Sequence, residues 1–131
     1  MRSLHPDLSP RCMILSAASS VLGTARLIIG DDSGWADLER SLQLALANGF
    51  QEQVASAYTD LSAMAVSRRQ YNEAARFLSA GLAYCEERHL DFLRPFLLAY
   101  RARMKFEQGH WLGASEDAET VLRHPRATPV T

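Results

Sequence analysis

The sequence predicts an all-α chain of six helices, joined as about three antiparallel helical hairpins. Three observations carry that expectation. Apolar residues recur at helical spacing, turn residues cut the chain into helix-length segments, and the segments repeat. Leu38, Leu42, Ala45 and Leu46 form one apolar stripe at i, i+4, i+7 and i+8. Tyr71, Ala74, Ala75, Leu78, Leu82 and Cys85 form a second, and Trp111, Ala114, Ala118 and Val121 a third. Alanine, the strongest helix former, is abundant, while the alternating Val-, Ile- and Thr-rich runs of strands are missing.

The breaks follow in order. Ser9-Pro10 reads as an N-cap with proline at the first helical position, opening a first helix that Gly30 ends. Asp31-Asp32-Ser33-Gly34 makes a turn. A second helix runs from near Trp35 to Asn48-Gly49, a third from about Gln51 to Arg68, and a fourth from about Tyr71 to Arg88. His89, at that helix end, suits the dipole as a cation. His89-Leu90-Asp91 makes the next break, with Asp91 as N-cap of a fifth helix and Pro95 in its first turn, where proline costs little. Gly109 ends the fifth helix. A sixth runs from about Trp111 to His124 and stops at Pro125, and the tail from Arg126 to Thr131 is expected to fray.

Trp35, Tyr71 and Trp111 each open the second helix of a pair, 36 and 40 residues apart by their numbers. Small or apolar residues follow each at +3 (Leu38, Ala74, Ala114), at +7 (Leu42, Leu78, Ala118) and at +10 (Ala45, Gly81, Val121). A paired-helix period of that size marks a helical solenoid, here one domain with units over about 10–49, 50–89 and 90–125. Closely crossing helices need small side chains such as Ala74, Gly81 and Ala114. The aromatic at the head of each second helix is expected to fill the wedge between neighbouring hairpins.

This pattern resembles the tetratricopeptide repeat. Leu22-Gly23 stands where that family carries Leu-Gly in the first helix of a unit, and Leu61-Ser62 takes the same place in the second unit. Tyr58 stands at the first aromatic position, Glu73-Ala74 echoes a frequent pair, and Gly109-His110-Trp111 matches the Gly-x-aromatic turn. The chain departs from the pattern at Arg101-Ala102, where Leu-Gly is expected, and at the additional turn residues Asp31-Asp32-Ser33. The resemblance implies a right-handed superhelix whose first helices line a groove. That register nominates Ser20 and Thr24 from the first unit, Thr59, Ala63 and Val66 from the second, and Ala99, Arg103 and Phe106 from the third. The set is mixed and holds one cation, so it lacks the basic clamp that grips a terminal carboxylate. It reads as a shallow groove for a protein, peptide or small effector, or else as an ordinary solvated face.

A narrower resemblance lies in three stretches, Gly34-Trp35-Ala36-Asp37-Leu38-Glu39-Arg40-Ser41-Leu42, Ala57-Tyr58-Thr59-Asp60-Leu61 and Gly81-Leu82-Ala83-Tyr84-Cys85-Glu86-Glu87-Arg88. They are similar to the helical-repeat sensor region of large LuxR-type bacterial transcriptional regulators, which add a nucleotide-binding module and a helix-turn-helix. The resemblance implies a cytoplasmic sensor or scaffold segment. No G-x-x-x-x-G-K-[ST] loop and no basic recognition helix occur, so neither ATP nor DNA binding is carried onto any residue here.

Composition narrows the function. The chain has 131 residues, 47% hydrophobic and 22% charged, enough to bury a core. Fourteen Lys and Arg face fifteen Asp and Glu, a balance that gives direct nucleic-acid binding no basic stripe to use. No unbroken apolar run reaches the ~18 residues of a membrane span, and Met1–Pro6 lacks the apolar core of a signal peptide, so no membrane role is expected. Cys12 and Cys85 stand far apart on apolar faces expected to be buried, which fits a reduced cytoplasmic compartment. No zinc spacing, no G-x-S-x-G and no cysteine beside a base occur, so neither cofactor nor catalysis is expected. Neighbours in Glu86-Glu87-Arg88-His89 diverge by about 100° and do not converge on an ion.

Arg94, Arg101, Arg103 and Lys105 make a local cationic run in which Arg101 and Lys105, four apart, share a face and repel. It reads as an anion site, or as a surface balanced by Glu107 or Asp117. Three non-catalytic functions stay open: a regulator segment, a free-standing peptide-binding scaffold, and a self-association module. In the last, Met13, Ile14 and Leu15 at one end and Val121 and Leu122 at the other pair between chains as a homodimer.

Overall fold

The computed structural model describes residues 9–123. Among them lie six helices and no strand: α1 (Ser9–Ile28), α2 (Gly34–Asn48), α3 (Gln51–Ser67), α4 (Tyr71–Glu87), α5 (Arg94–Glu107) and α6 (Trp111–Leu122). The expected stop at Pro125 and the expected fraying of 126–131 lie outside the described residues. α1 takes in Ser9, expected as its N-cap, α6 closes at Leu122 rather than near His124, and α5 opens later than expected. α5 opens at Arg94 with Leu93 in the N-cap position, because Asp91 falls inside a turn in which the Leu93 amide donates to the Leu90 carbonyl (3.1 Å).

The first five helices end in one backbone device. A residue with positive φ follows each: Gly30 (91°), Gly49 (68°), Arg69 (58°), His89 (56°) and Gly109 (82°). In every case the amide of that residue donates to the carbonyl three back, and the next amide to the carbonyl five back. Asp31 N–H to Arg26 (2.8 Å), Gln70 N–H to Ala65 (2.9 Å) and Leu90 N–H to Cys85 (2.9 Å) are examples. This pairing satisfies carbonyls that a helix end leaves bare. His89 thus ends α4 through backbone conformation, a role beyond the cationic one expected of it.

The contacts divide the chain into two compact units, Met1–Ala57 and Tyr58–Thr131, with the boundary inside α3. In the first, α1 packs on α2 through small residues. The Ser16 hydroxyl donates to the Ser41 carbonyl (2.9 Å) and the Ser41 hydroxyl to the Ser16 carbonyl (2.8 Å), both serines fully buried. Further along, the two backbones nearly touch. A Cβ on Gly23 would stand 2.7 Å from the Gly34 carbonyl oxygen and 2.9 Å from the Leu38 amide nitrogen. Leu27 and Leu38 fill the space beside this contact, and Arg26 reaches Asp37 at its edge (2.7 Å).

This close seam inverts α1. Small residues and Leu27 face inward, while Ile14, Val21, Ile28 and Ile29 lie exposed. Averaged over Pro10–Ile28, α1 reaches a mean hydropathy of 1.2, long and apolar enough by length and composition to cross a membrane, though no unbroken apolar run showed this. Cys12, expected to be buried, is half-buried.

In the second unit, Leu61, Phe77, Leu78, Cys85, Leu97 and Leu98 build the core. Ala74, Gly81 and Ala114 are buried, as small residues at crossings should be. A Cβ on Gly81 would stand 2.9 Å from the Tyr58 Cβ and 3.0 Å from Leu97 Cδ1. The Tyr58 and Tyr84 rings meet tilted at 6.3 Å, and burial pushes the Cys85 thiol up, which leaves it unreactive. Stripe positions differ from expectation at Ala75 here and at Leu46 in the first unit, both exposed. Ser62 is fully buried, and among the described residues its hydroxyl has no partner.

Gly23 and Ser62, which hold equivalent places in the repeat pattern, therefore respond oppositely to alanine. Gly23→Ala gains about 1 kcal/mol of helix propensity but drives a methyl into backbone, so it should lose about 1–3 kcal/mol net. Ser62→Ala removes an unsatisfied buried hydroxyl and should gain about 1 kcal/mol. Urea titrations of both variants check the pair. A Gly23→Ala chain as stable as wild type would mean that the seam yields freely.

Candidate interaction surface

The cationic run on α5 is mostly neutralised. Arg101 donates from Nε to Asp117 Oδ2 and from Nη2 to Oδ1, each at 2.8 Å. Lys105 Nζ stands 3.0 Å from the same Oδ2. Gly113 leaves room for the lysine stem, since a Cβ there would lie 3.2 Å from Lys105 Cδ. Arg101 and Lys105 do not repel, because the buried carboxylate between them binds both. Burial alone would raise the Asp117 carboxyl, but the bonds from Arg101 and Lys105 outweigh it and hold the group below the ordinary carboxylate value. The same bonds raise Arg101.

Arg103 belongs to a second network. Its Nε donates to Glu107 Oε2 at 3.0 Å, and the Tyr71 hydroxyl donates to Glu107 Oε1 at 2.7 Å. The Tyr71 and Arg103 bonds lower the Glu107 carboxyl, and the Glu107 bond raises the Tyr71 hydroxyl. Tyr71 thereby ties the start of α4 to the end of α5. Arg94, the fourth cation, lies with Asp91, Pro95, Leu98 and Thr120 around a separate hollow of about 290 Å³.

Where α5 passes into α6, an apolar surface opens. Phe106 is the last aromatic of α5 and Trp111 the first residue of α6, with the Gly109 turn between them. They line an open hollow of about 430 Å³ together with Arg103, Ala114, Ser115 and Ala118. Trp111 is 68% exposed and Leu112 beside it 83%. Trp111, expected to fill a wedge, instead stands open to solvent above the hollow that it shares with Ala114.

Of the nominated groove residues, Arg103 and Phe106 come together in this hollow, and Ala99 lies exposed on α5. Thr59 and Ala63 are half-buried on α3, and Ser20 and Thr24 half-buried on α1. Val66 is 0% exposed, packed into the core, so it is not a ligand contact. Trp111 was assigned to a wedge because an aromatic at helical spacing reads as core, and nothing in the sequence singled out the exposed Leu112 beside it. Among the described residues, no group of three His, Cys, Asp or Glu side chains gathers as a metal site. A scan of protein-family models, a search of curated proteins and a search of solved structures each found no match to this chain.

Removing the shared carboxylate leaves two cations facing each other in a partly buried place. Asp117→Asn should cost about 2 kcal/mol. The sign with pH follows from the lowered carboxyl: its contribution is complete above the ordinary aspartate value and disappears as pH falls through the lower folded value. The wild-type advantage over Asp117→Asn should stay flat near neutrality and shrink below about pH 4. Thermal melts across that range check it, and an advantage that grows on acidification would contradict the ion-pair account.

Proposed function

We propose that this chain is a non-catalytic interaction module of the tetratricopeptide-like kind, built from antiparallel hairpins and serving as sensor or scaffold segment of a LuxR-type bacterial regulator. The observation that carries the binding reading is the hollow beside the α5–α6 turn. Two large aromatic side chains, Phe106 and Trp111, line it and stand exposed, which a soluble surface rarely sustains without use. Arg103 is held at its rim by Glu107, which fixes the side chain and leaves little free charge. The matching ligand is an apolar side chain or two presented by a peptide, with few charges of its own.

The hairpin reading draws support from contact order within each unit. In the first, Leu27 meets Gly34, Gly23 meets Leu38 and Ser16 meets Ser41, so contacts descend α1 as they ascend α2. In the second, Arg101 and Lys105 of α5 meet Asp117 of α6 around one tight turn. The regulator assignment rests on the resemblance of residues 34–42, 57–61 and 81–88. It predicts that the gene region encodes a phosphate-loop module and a helix-turn-helix in frame with this chain; a free-standing scaffold has neither.

A random peptide library panned against the wild-type chain, in parallel with a Phe106→Ala/Trp111→Ala variant, tests the binding surface. Peptides rich in Leu, Phe and Trp should be retained by wild type and bind the variant at least ~30-fold more weakly. Equal retention by both chains would remove the hollow as the binding surface.

A further inference from the structure

The outer face of α1 repeats every seven residues. Ile14-Leu15, Val21-Leu22 and Ile28-Ile29 are three adjacent apolar pairs spaced by seven. Ala18 and Ala25 stand between the pairs, also seven apart. At about 100° per residue all of these fall within about 80° of one line along the helix. Most of this surface is left open by the described residues: Ile14 is 68% exposed, Val21 71%, Ile28 71% and Ile29 79%, while Leu15 (38%) and Leu22 (44%) at its edge are partly covered. α1 packs on α2 through its opposite side, at Ser16, Gly23 and Leu27. We infer that this face is a self-association surface, on which α1 of one chain lies against α1 of a second copy.

Four observations choose that occupant. A seven-residue repeat of large residues is the spacing at which two helices lie side by side over a long contact, because it follows the 3.5-residue period of supercoiled pairs. Ala18 and Ala25, along the centre of the stripe, let two backbones approach while the flanking Ile, Val and Leu interlock. The exposed apolar surface is on the order of 600 Å², at the ~600 Å² per partner where specific interfaces begin and at the upper end of what single patches on monomers reach. The face carries one charge, Arg11 in its first turn, so little in it repels an identical face or selects a charged stranger.

A bilayer fits less well. α2 lies along α1 and exposes Glu39 and Arg40, so the pair cannot enter hydrocarbon without dragging charge with it. Among the described residues of this unit, five carboxylates (Asp31, Asp32, Asp37, Glu39, Glu52) outnumber three arginines (Arg11, Arg26, Arg40). That balance gives an anionic membrane surface nothing to attract. The dimer surface is separate from the α5–α6 hollow and does not depend on the function proposed for it. It also differs from an end-to-end pairing of Met13–Leu15 with Val121–Leu122, because one face meets its own copy and the assembly closes at two.

The test is the mass of the full chain by sedimentation equilibrium from about 1 to about 100 µM, the range in which an interface of this size dissociates. Wild type should pass from monomer to dimer with rising concentration. Val21→Glu, at an exposed site and with circular dichroism to check that the fold is kept, should weaken the dimer ~100-fold or more by burying a charge. Phe96→Glu, at another exposed apolar site, on α5, should leave the dimer unchanged. A wild-type monomer throughout would overturn the inference, as would a dimer indifferent to Val21→Glu. A monomer that co-sediments with phosphatidylcholine vesicles and loses them in Val21→Glu would overturn it in favour of the bilayer.

Discussion

α1 and α2 meet where neither has a side chain, and much of the first unit follows from that contact. Gly23 and Gly34 let the backbones touch. The helices then lie close enough for Ser16 and Ser41 to exchange hydroxyl bonds with each other's carbonyls, which bulkier neighbours would prevent. A seam made of glycine and serine gains its stability from dispersion and hydrogen bonding more than from apolar area. It has no room for isoleucine. The large side chains of α1 are therefore turned outward, and the helix is most hydrophobic where it is least covered.

The second unit solves the same packing problem with charge added. Ala114 and Gly113 bring α6 close to α5, and Asp117 then sits within reach of two cations that would otherwise oppose each other. Its carboxylate is buried, so each bond to it acts in a medium less screened than water. At the head of α6 the Trp111 indole and Phe106 line an open apolar hollow beside the turn that joins the two ion-paired helices.

The helices themselves were legible in the sequence, because apolar spacing and Gly30, Gly49 and Gly109 mark them directly. What the apolar stripes did not reveal was which side of a helix packs. Period identifies a face, and the partner decides whether that face turns in or out; on α1 the seam takes small residues and Leu27, and the isoleucines turn outward. Leu46, Ala75 and Trp111 misled for the same reason. Val66 was placed in a groove by register alone, and the core took it. Arg101 and Lys105 looked repulsive because a carboxylate twelve residues beyond Lys105 is invisible to local spacing. Arg69 and His89 gave no sign of positive φ, since side-chain-bearing residues seldom adopt it.

Those two positions bear on how such a chain changes over time. Five joints share one pattern of amide-to-carbonyl bonds, yet the residue at the bend is glycine in three, arginine in one and histidine in one. The bend is specified by main-chain bonding, and at Arg69 and His89 that bonding holds a side chain in a conformation that costs about 1 kcal/mol relative to glycine. Three of the joints are also minimal, with the next helix opening two residues after the bend. In a molecule assembled from such joints, a corner can lose its glycine, at a cost in strain, while the pattern of main-chain bonds persists.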